Sequence, residues 1–489
     1  MPPGAGDTSF RTPTPSTPAS SRKTASPCSR PQRNTAATPA PDADPLAFFE
    51  KETDMNVGHD PSLPISRGQT YFIFVLLFLL YMFDYIDRLV VSSLFPFIKA
   101  EWGLSDTQCG LLISAVYWSI LIFSLPVSIL VDRWSRKKSV ALMALLWSLA
   151  TAACAFTRSF GQLFAARTAI GLGEAGYAPG GTAMISALFP EEKRAKILGL
   201  WNASIPLGSA LGIVLGGVIA DRFGWRHAFG IVAIPGMIIA LLFFFVKDYK
   251  TVALIKSANG PHRKIRMNRK DYVHQFTHPK SLIFNNLAFA ANVFVTTALM
   301  SWLPTYFSRT EGLSMTKAGG KAGAIMFLAV LGAPLGGWLS DLWRRKRLNA
   351  RMLFPACTSF LTAIVFFTAL VLFHGPAQYI AFLIGGITIA AFVPASVAVT
   401  QDVVHPGLRA TSLSLNVVIQ HLLGSTLGPI FVGVLSDRLG LTAALSFLPF
   451  FTALAALFFF IGSFYYQRDI DAAEKIDIEF ENPGTGGGL

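Results

Sequence analysis

The chain has 489 residues, of which 52% are hydrophobic and 14% charged, against about 25% charged in a soluble domain. That balance excludes an ordinary soluble globular protein and suits a chain whose solvent is mostly lipid. The net charge of +13 would fit nucleic acid, but most basic residues lie in short segments between apolar runs, which argues against a nucleic-acid partner.

Residues 1–70 are dominated by Pro, Ser, Thr and Ala, as in RTPTPSTPASSRKTASPCSRPQRNTAATPAP. Such a segment buries too little apolar surface to offset its ordering entropy, so it reads as a disordered cytoplasmic tail. It lacks the apolar core of a secretory signal peptide, and an inert role is expected. Twelve apolar runs follow, near the roughly 20 residues that a spanning helix needs. Their expected limits are 71–98, 108–131, 138–157, 160–189, 194–220, 226–246, 281–307, 317–340, 350–373, 376–402, 408–436 and 440–466.

The connections after spans 2, 4 and 8 read DRWSRKK, PEEKRAK and DLWRRKR, and the segment 247–280 after span 6 is long and basic. The turn FHGP between spans 9 and 10 has no Lys or Arg. Alternate loops therefore share a basic side, which places them and both termini in the cytoplasm of a cell-membrane protein. The domain reading is a first bundle at 71–246, a basic loop at 247–280, a second bundle at 281–466 and a cytoplasmic tail at 467–489.

The chain also repeats itself. LGSALG at 207–212 returns as LGSTLG at 423–428, and GVIADR at 217–222 returns as GVLSDR at 433–438, both 216 residues later. SILVDRWSRKK at 128–138 resembles GWLSDLWRRKR at 337–347, at an offset of 209. Three matches in corresponding order point to a duplication. The expected fold is all-α, with twelve transmembrane helices in two pseudo-symmetric six-helix bundles and alternating access around a midplane site.

Ionisable residues inside a span are costly, so each is a functional candidate. Span 1 carries Asp84, Asp87 and Arg88 in FDYIDR, with Tyr85 between the aspartates. Span 4 carries Arg167 and Glu174 in RTAIGLGEAGYAPGG, two turns apart on one face, with Gly171, Gly173 and Gly176 allowing close approach. Structural ion pairs between spans 1 and 4 are the competing reading. Against it, three carboxylates and two arginines gather in one half. Asp87, Glu174 and Asp84 are therefore assigned to proton coupling. Arg88, Arg167, Tyr85, Asn292, Asn416 and Gln420 are assigned to solute contact, because a guanidinium fork matches carboxylate or phosphate and amides suit a polar stripe. His421, next in span 11, is a weaker relay candidate.

Over residues 71–466 the sequence resembles the major facilitator superfamily. The connection after span 2 matches that family's G-x-x-x-D-R-x-G-R-[RK]-[RK] motif at Asp132, Arg133, Arg136, Lys137 and Lys138, with Ser128 and Ser135 in place of its glycines. The second copy matches at Asp341, Arg345, Lys346 and Arg347. The resemblance implies that Asp132, Arg133, Arg136, Lys137, Asp341 and Arg345 form a cytoplasmic latch. DYIDR, RTAIGLGEAGYAP and GEAGYAPGG followed by IPLGSALG look like the spinster-like branch, whose members carry lysophospholipids and sphingosine phosphate. GLSDTQCGLLISAVYWSILIFSLPVSILVDR also resembles the anion:cation symporters, which take up sugar acids with protons. Both branches imply proton coupling and substrate contact at Asp87, Arg88, Arg167 and Glu174.

The expected function is secondary transport and not enzymatic, since no H-E-x-x-H, G-x-S-x-G or P-loop is present. Cys28, Cys109, Cys154 and Cys357 lie far apart without a C-x-x-C pair, so neither a disulfide framework nor a metal site is indicated, and no cofactor is expected. The expected partners are a small organic anion or lipid-like solute, protons and membrane lipid, with the protein a monomer. Two alternatives stay open: a transport-inactive receptor on the same fold, and a drug/proton antiporter. The family's G-P-x-x-G-G antiporter arrangement is absent from span 5.

Overall fold

In the computed structural model the described residues are 66–133, 136–246, 269–405 and 408–474. The proposed N-terminal tail, most of the loop 247–280 and the end of the C-terminal tail lie outside them. Helices account for the twelve expected spans.

Span 1 is Arg67–Val90, continued by a 3₁₀ turn and the short helix Phe95–Trp102. Ser66 caps its start by accepting from the Gln69 amide at 3.4 Å, and left-handed Gly103 ends it. Spans 2 and 3 are Asp106–Arg133 and Arg136–Cys154. Span 4 is two helices, Phe160–Glu174 and Tyr177–Leu188, broken directly after Glu174. Span 5 joins Glu191–Asn202 to Ser204–Phe223, and span 6 is Trp225–Phe245.

In the second half, Lys280–Glu311 and Met315–Arg344 form spans 7 and 8. Ala350–Phe367 begins span 9, and Gly375–Thr388 with Val393–Asp402 forms span 10. Span 11 runs from Arg409 to Leu439 through a π-helical segment at Gln420–Ser425. Span 12 is Leu441–Ser446 and Leu448–Glu474. It outlasts its apolar stretch, as does span 1 at its start. One helix was not foreseen: Arg269–Thr277 lies in the segment read as a loop.

Ten of the twelve spans are long and apolar enough to cross a membrane by length and composition. The other two, spans 1 and 4, bury Asp84, Asp87, Arg88, Arg167 and Glu174. Span 6 shows how lipid and core divide one helix. Ile231, Ile234, Ile238, Leu241 and Phe245 are exposed at helical spacing, while Val232, Gly236, Ile239 and Phe243 are buried.

The duplication is visible in the backbone. Gly224 and Gly440, 216 residues apart, adopt φ 87° and 84° at matching turns, a conformation that favours glycine. Packing repeats too: span 3 lies on span 6 as span 9 lies on span 12, and span 1 on span 5 as span 7 on span 11. The halves meet along spans 2 and 11 and spans 5 and 8. A continuous core joins them toward the end opposite the basic loops, where Phe95 and Trp302 pack with ring centroids 5.1 Å apart. A separate core around Leu282, Met352, Phe392 and Tyr466 belongs to the second half alone.

Candidate functional site

The charged residues of spans 1 and 4 come together, and all five are buried: Asp84 1%, Asp87 2%, Arg88 7%, Arg167 0% and Glu174 3% exposed. Arg88 is the centre. Its Nη2 lies 2.9 Å from Asp84 Oδ2, one helical turn earlier, and its Nε lies 2.8 Å from Glu174 Oε2 on span 4. Neither contact is aligned as a hydrogen bond; Nη2 donates instead to Asp84 Oδ1 at 3.1 Å. Both Glu174 oxygens, Asp84 Oδ2 and Asp87 Oδ1 are buried without a hydrogen-bond donor among the described residues. Such orphaned oxygens are rare in interiors and mark a place where a proton or ligand can bind.

Asp87 faces another way. Its Oδ2 accepts from the Thr151 hydroxyl of span 3. Arg167 is occupied by the backbone: its Nε donates to Leu112 O at 3.2 Å, Nη1 to Asp87 O at 3.1 Å and Nη2 to Arg88 O at 3.2 Å. The guanidinium ties spans 1 and 2 to span 4 at the level of the cluster. Arg167, expected to contact solute, is here fully buried with all three nitrogens engaged by carbonyls. Glycine provides the close approach expected in span 4, since a Cβ on Gly173 would lie 2.7 Å from Trp147 N.

Aromatic rings border the cluster. The Arg88 guanidinium lies 4.8 Å from the Tyr85 ring and 5.8 Å from that of Tyr117 on span 2. Toward the basic end, Tyr81 stacks on Trp201 at 4.3 Å and meets Tyr177 at 5.6 Å. Tyr177 Oη and Trp201 Nε1 both donate to Leu77 O, at 2.5 and 3.2 Å. On the other side, Tyr117 stacks on His421 of span 11 at 5.7 Å, which links the cluster to the second half.

The second-half candidates form amide networks instead. Asn292 donates to Ser359 Oγ at 3.0 Å. Asn416 donates to Asn286 Oδ1 at 2.8 Å and accepts from Gln420, so the stripe expected in span 11 exists and continues into span 7. Of the latch candidates, Asp341 and Arg345 are exposed and Lys137 is half-buried. Asp132, Arg133 and Arg136 have side chains outside the described residues. Among the described residues no group of His, Cys, Asp and Glu could hold a metal ion, and Cys109, Cys154 and Cys357 are free. Sequence reasoning passed over Thr151, Tyr117 and Asn286, which carry no signal in an apolar run because small hydroxyls, tyrosines and amides are ordinary there.

Residues 77–429 match the family model described as Major Facilitator Superfamily. Protein spinster homolog 3 of Danio rerio is 29% identical over 452 residues, covering 85% of this chain and 90% of that protein. The hexuronate transporter of Bacillus subtilis is 28% identical over 381 residues, covering 75% and 88%. A crystal structure of a bacterial homolog to the human lysosomal transporter Spinster, in an inward-facing and occupied conformation, superposes with a TM-score of 0.72 at 22% identity, covering 83% of this chain and 99% of that one.

Proposed function

This chain belongs to the Major Facilitator Superfamily and is an integral multi-pass secondary transporter, and from that premise we propose that it couples protons to the movement of an organic anion or an amphipathic, lipid-like anion. The observation that carries this reading is the buried cluster on spans 1 and 4. Three carboxylates face two guanidiniums, and both Glu174 oxygens lack an aligned donor. If every group is ionised, one negative charge is unbalanced in a low-dielectric interior, and a single proton balances it. Arg88 is the exchangeable cation because it is shared between Asp84 and Glu174.

A solute anion that reaches Arg88 draws the guanidinium away from Glu174, and the released carboxylate takes up a proton. Linkage makes the effect reciprocal, so protonation also favours solute. Asp87, held by Thr151, is the second proton candidate, and Asp84 keeps Arg88 oriented. Arg167 positions the cluster through the backbone. Tyr85 borders the anion site, while Asn292, Asn416 and Gln420 offer polar contacts from the second half. We place the basic loops and both termini in the cytoplasm of a cell-membrane monomer. Asp132, Arg133, Arg136 and Lys137 with Asp341 and Arg345 then form the latch that closes that side.

The test is uptake in proteoliposomes with and without a pH gradient, using D-glucuronate and lysophosphatidylglycerol as the two probes. At least one should accumulate under the gradient. Glu174→Gln should abolish accumulation while retaining exchange at equal concentrations, and Asp87→Asn run in parallel separates the two carboxylates. If both neutral variants still concentrate solute, the proton mechanism is wrong.

A further inference from the structure

The repeated hexapeptides GVIADR and GVLSDR end spans 5 and 11, at the end opposite the basic loops and away from the charge cluster. Asp437 of the later copy crosses to the first half. It accepts from Asp106 N at 2.7 Å, Thr107 N at 2.9 Å and Thr107 Oγ1 at 2.6 Å, at the start of span 2. Asp221, 216 residues earlier, accepts from Thr316 N at 2.6 Å at the start of span 8. Each half thus caps a helix of the other. The first N–H groups of a helix have no partner within it and carry its positive dipole end, so a carboxylate there is held by both hydrogen bonding and charge.

The backbones fit for the same reason on both sides. A Cβ on Gly433 would lie 2.6 Å from Asp106 O, and one on Gly217 would lie 2.8 Å from the Met315 carbonyl carbon. The two contacts are unequal, however. Asp106 also receives Arg309 Nη1 and Nη2 at 2.7 and 2.8 Å, Lys99 Nζ at 2.6 Å and Ser436 Oγ at 2.5 Å. Its counterpart 209 residues on is Met315, which offers none of these bonds.

We propose that Asp437 and Asp221 are positioning residues of the transport cycle, holding the halves together at the end opposite the basic loops, with Asp437 and the Asp106–Arg309 pair as the lock and Asp221 as its lighter counterpart. Opening at that end parts span 2 from span 11 and span 5 from span 8, so the bonds made by Asp437, Asp221, Arg309 and Ser436 across the halves must break, while Lys99 stays with Asp106 inside the first half. The freed groups then meet water at the membrane surface. Asymmetry makes spans 5 and 8 the side that yields more easily.

The inference rests on the secondary-transporter reading but needs no solute and no proton gradient, so failure of the coupling proposal leaves its test intact. Spin labels at Arg158 and His374, exposed residues on opposite halves at that end, report the separation by pulsed dipolar spectroscopy on the full chain in lipid nanodiscs. Asp437→Ala should raise the ratio of long to short distances about tenfold and Asp221→Ala about threefold, in line with the loss of a helix cap. Asp437→Asn keeps one acceptor oxygen and should fall between Asp437→Ala and the parent. Thr107→Val and Ser436→Ala each remove one bond and should shift the ratio the same way by about twofold, which keeps the proposal open to test if Asp437→Ala does not fold. Unchanged distances in Asp221→Ala, Thr107→Val and Ser436→Ala overturn the proposal. An Asp221→Ala effect equal to or larger than that of Asp437→Ala overturns the assignment of lock and counterpart.

Discussion

The two halves share a fold and differ in what they bury. The first encloses Asp84, Asp87, Arg88, Arg167 and Glu174. The second buries Asn285, Asn286, Asn292 and Asn416 instead. The amides satisfy one another and nearby hydroxyls: Asn285 exchanges hydrogen bonds with Ser396, Asn292 donates to Ser359, and Asn416 donates to Asn286. The carboxylates do not, and several of their oxygens have no aligned donor. A satisfied network fixes helix against helix. An unsatisfied charged one is, on the proposed reading, a place for a proton and an anion. Duplication supplied the scaffold twice, while this charge cluster was built in one copy.

Three substitutions break or sharpen that contrast, in decreasing order of effect. The largest is expected at Arg167, the member of the charged set that behaves like structure. Arg167→Leu leaves three carbonyls without their donor, at about 1–3 kcal/mol for each buried group left unpaired. Detergent-solubilised protein should lose its folded, monodisperse state or melt far below the parent in a thermal stability assay. Melting close to the parent would return Arg167 to the candidates for solute contact.

Arg88→Gln comes next. Removing one partner of a buried ion pair costs about 3–5 kcal/mol, but here Asp84 and Glu174 can each neutralise by taking a proton, so part of that cost is relieved. The folded protein should survive with lowered stability, and binding of whichever anionic probe the parent accumulates should fall by about a hundredfold or more in an equilibrium binding assay. Retained affinity would separate the anion site from Arg88.

The smallest effect is expected at Asn416. Asn416→Leu removes hydrogen bonds worth about 1 kcal/mol each and should lower the thermal midpoint by a few degrees, leaving the dependence of uptake on the pH gradient unchanged. Loss of that dependence would show that the second half shares in coupling and would erase the contrast drawn between the halves.

Much of this site was legible before the fold was known, and for one reason: a charge inside an apolar run is expensive enough to stand out. Asp84, Asp87, Arg88 and Glu174 were found that way and do converge. Arg167 was found by the same signal, yet its partners are the carbonyls of Leu112, Asp87 and Arg88. A backbone carbonyl looks the same at every position in a sequence. Thr151 and Tyr117 were missed because neither is costly where it lies. The hexapeptide repeat was read as evidence of duplication, but its aspartates gave no hint that each reaches the opposite half.

By itself the sequence determined the number of spans, their approximate limits, the basic alternation of the loops and the two-fold internal repeat. These depend on local apolar content and on charge placement, which do not require knowing what touches what. Tertiary structure decided which carboxylates share Arg88, that Arg167 holds backbone, that span 4 breaks beside Glu174, and that Asp437 caps span 2. Apart from the break in span 4, each of these joins residues from different helices, in several cases more than 50 positions apart. Helices of similar apolar composition can pack in many pairings, and only the assembled bundle selects the one that brings these groups within bonding distance.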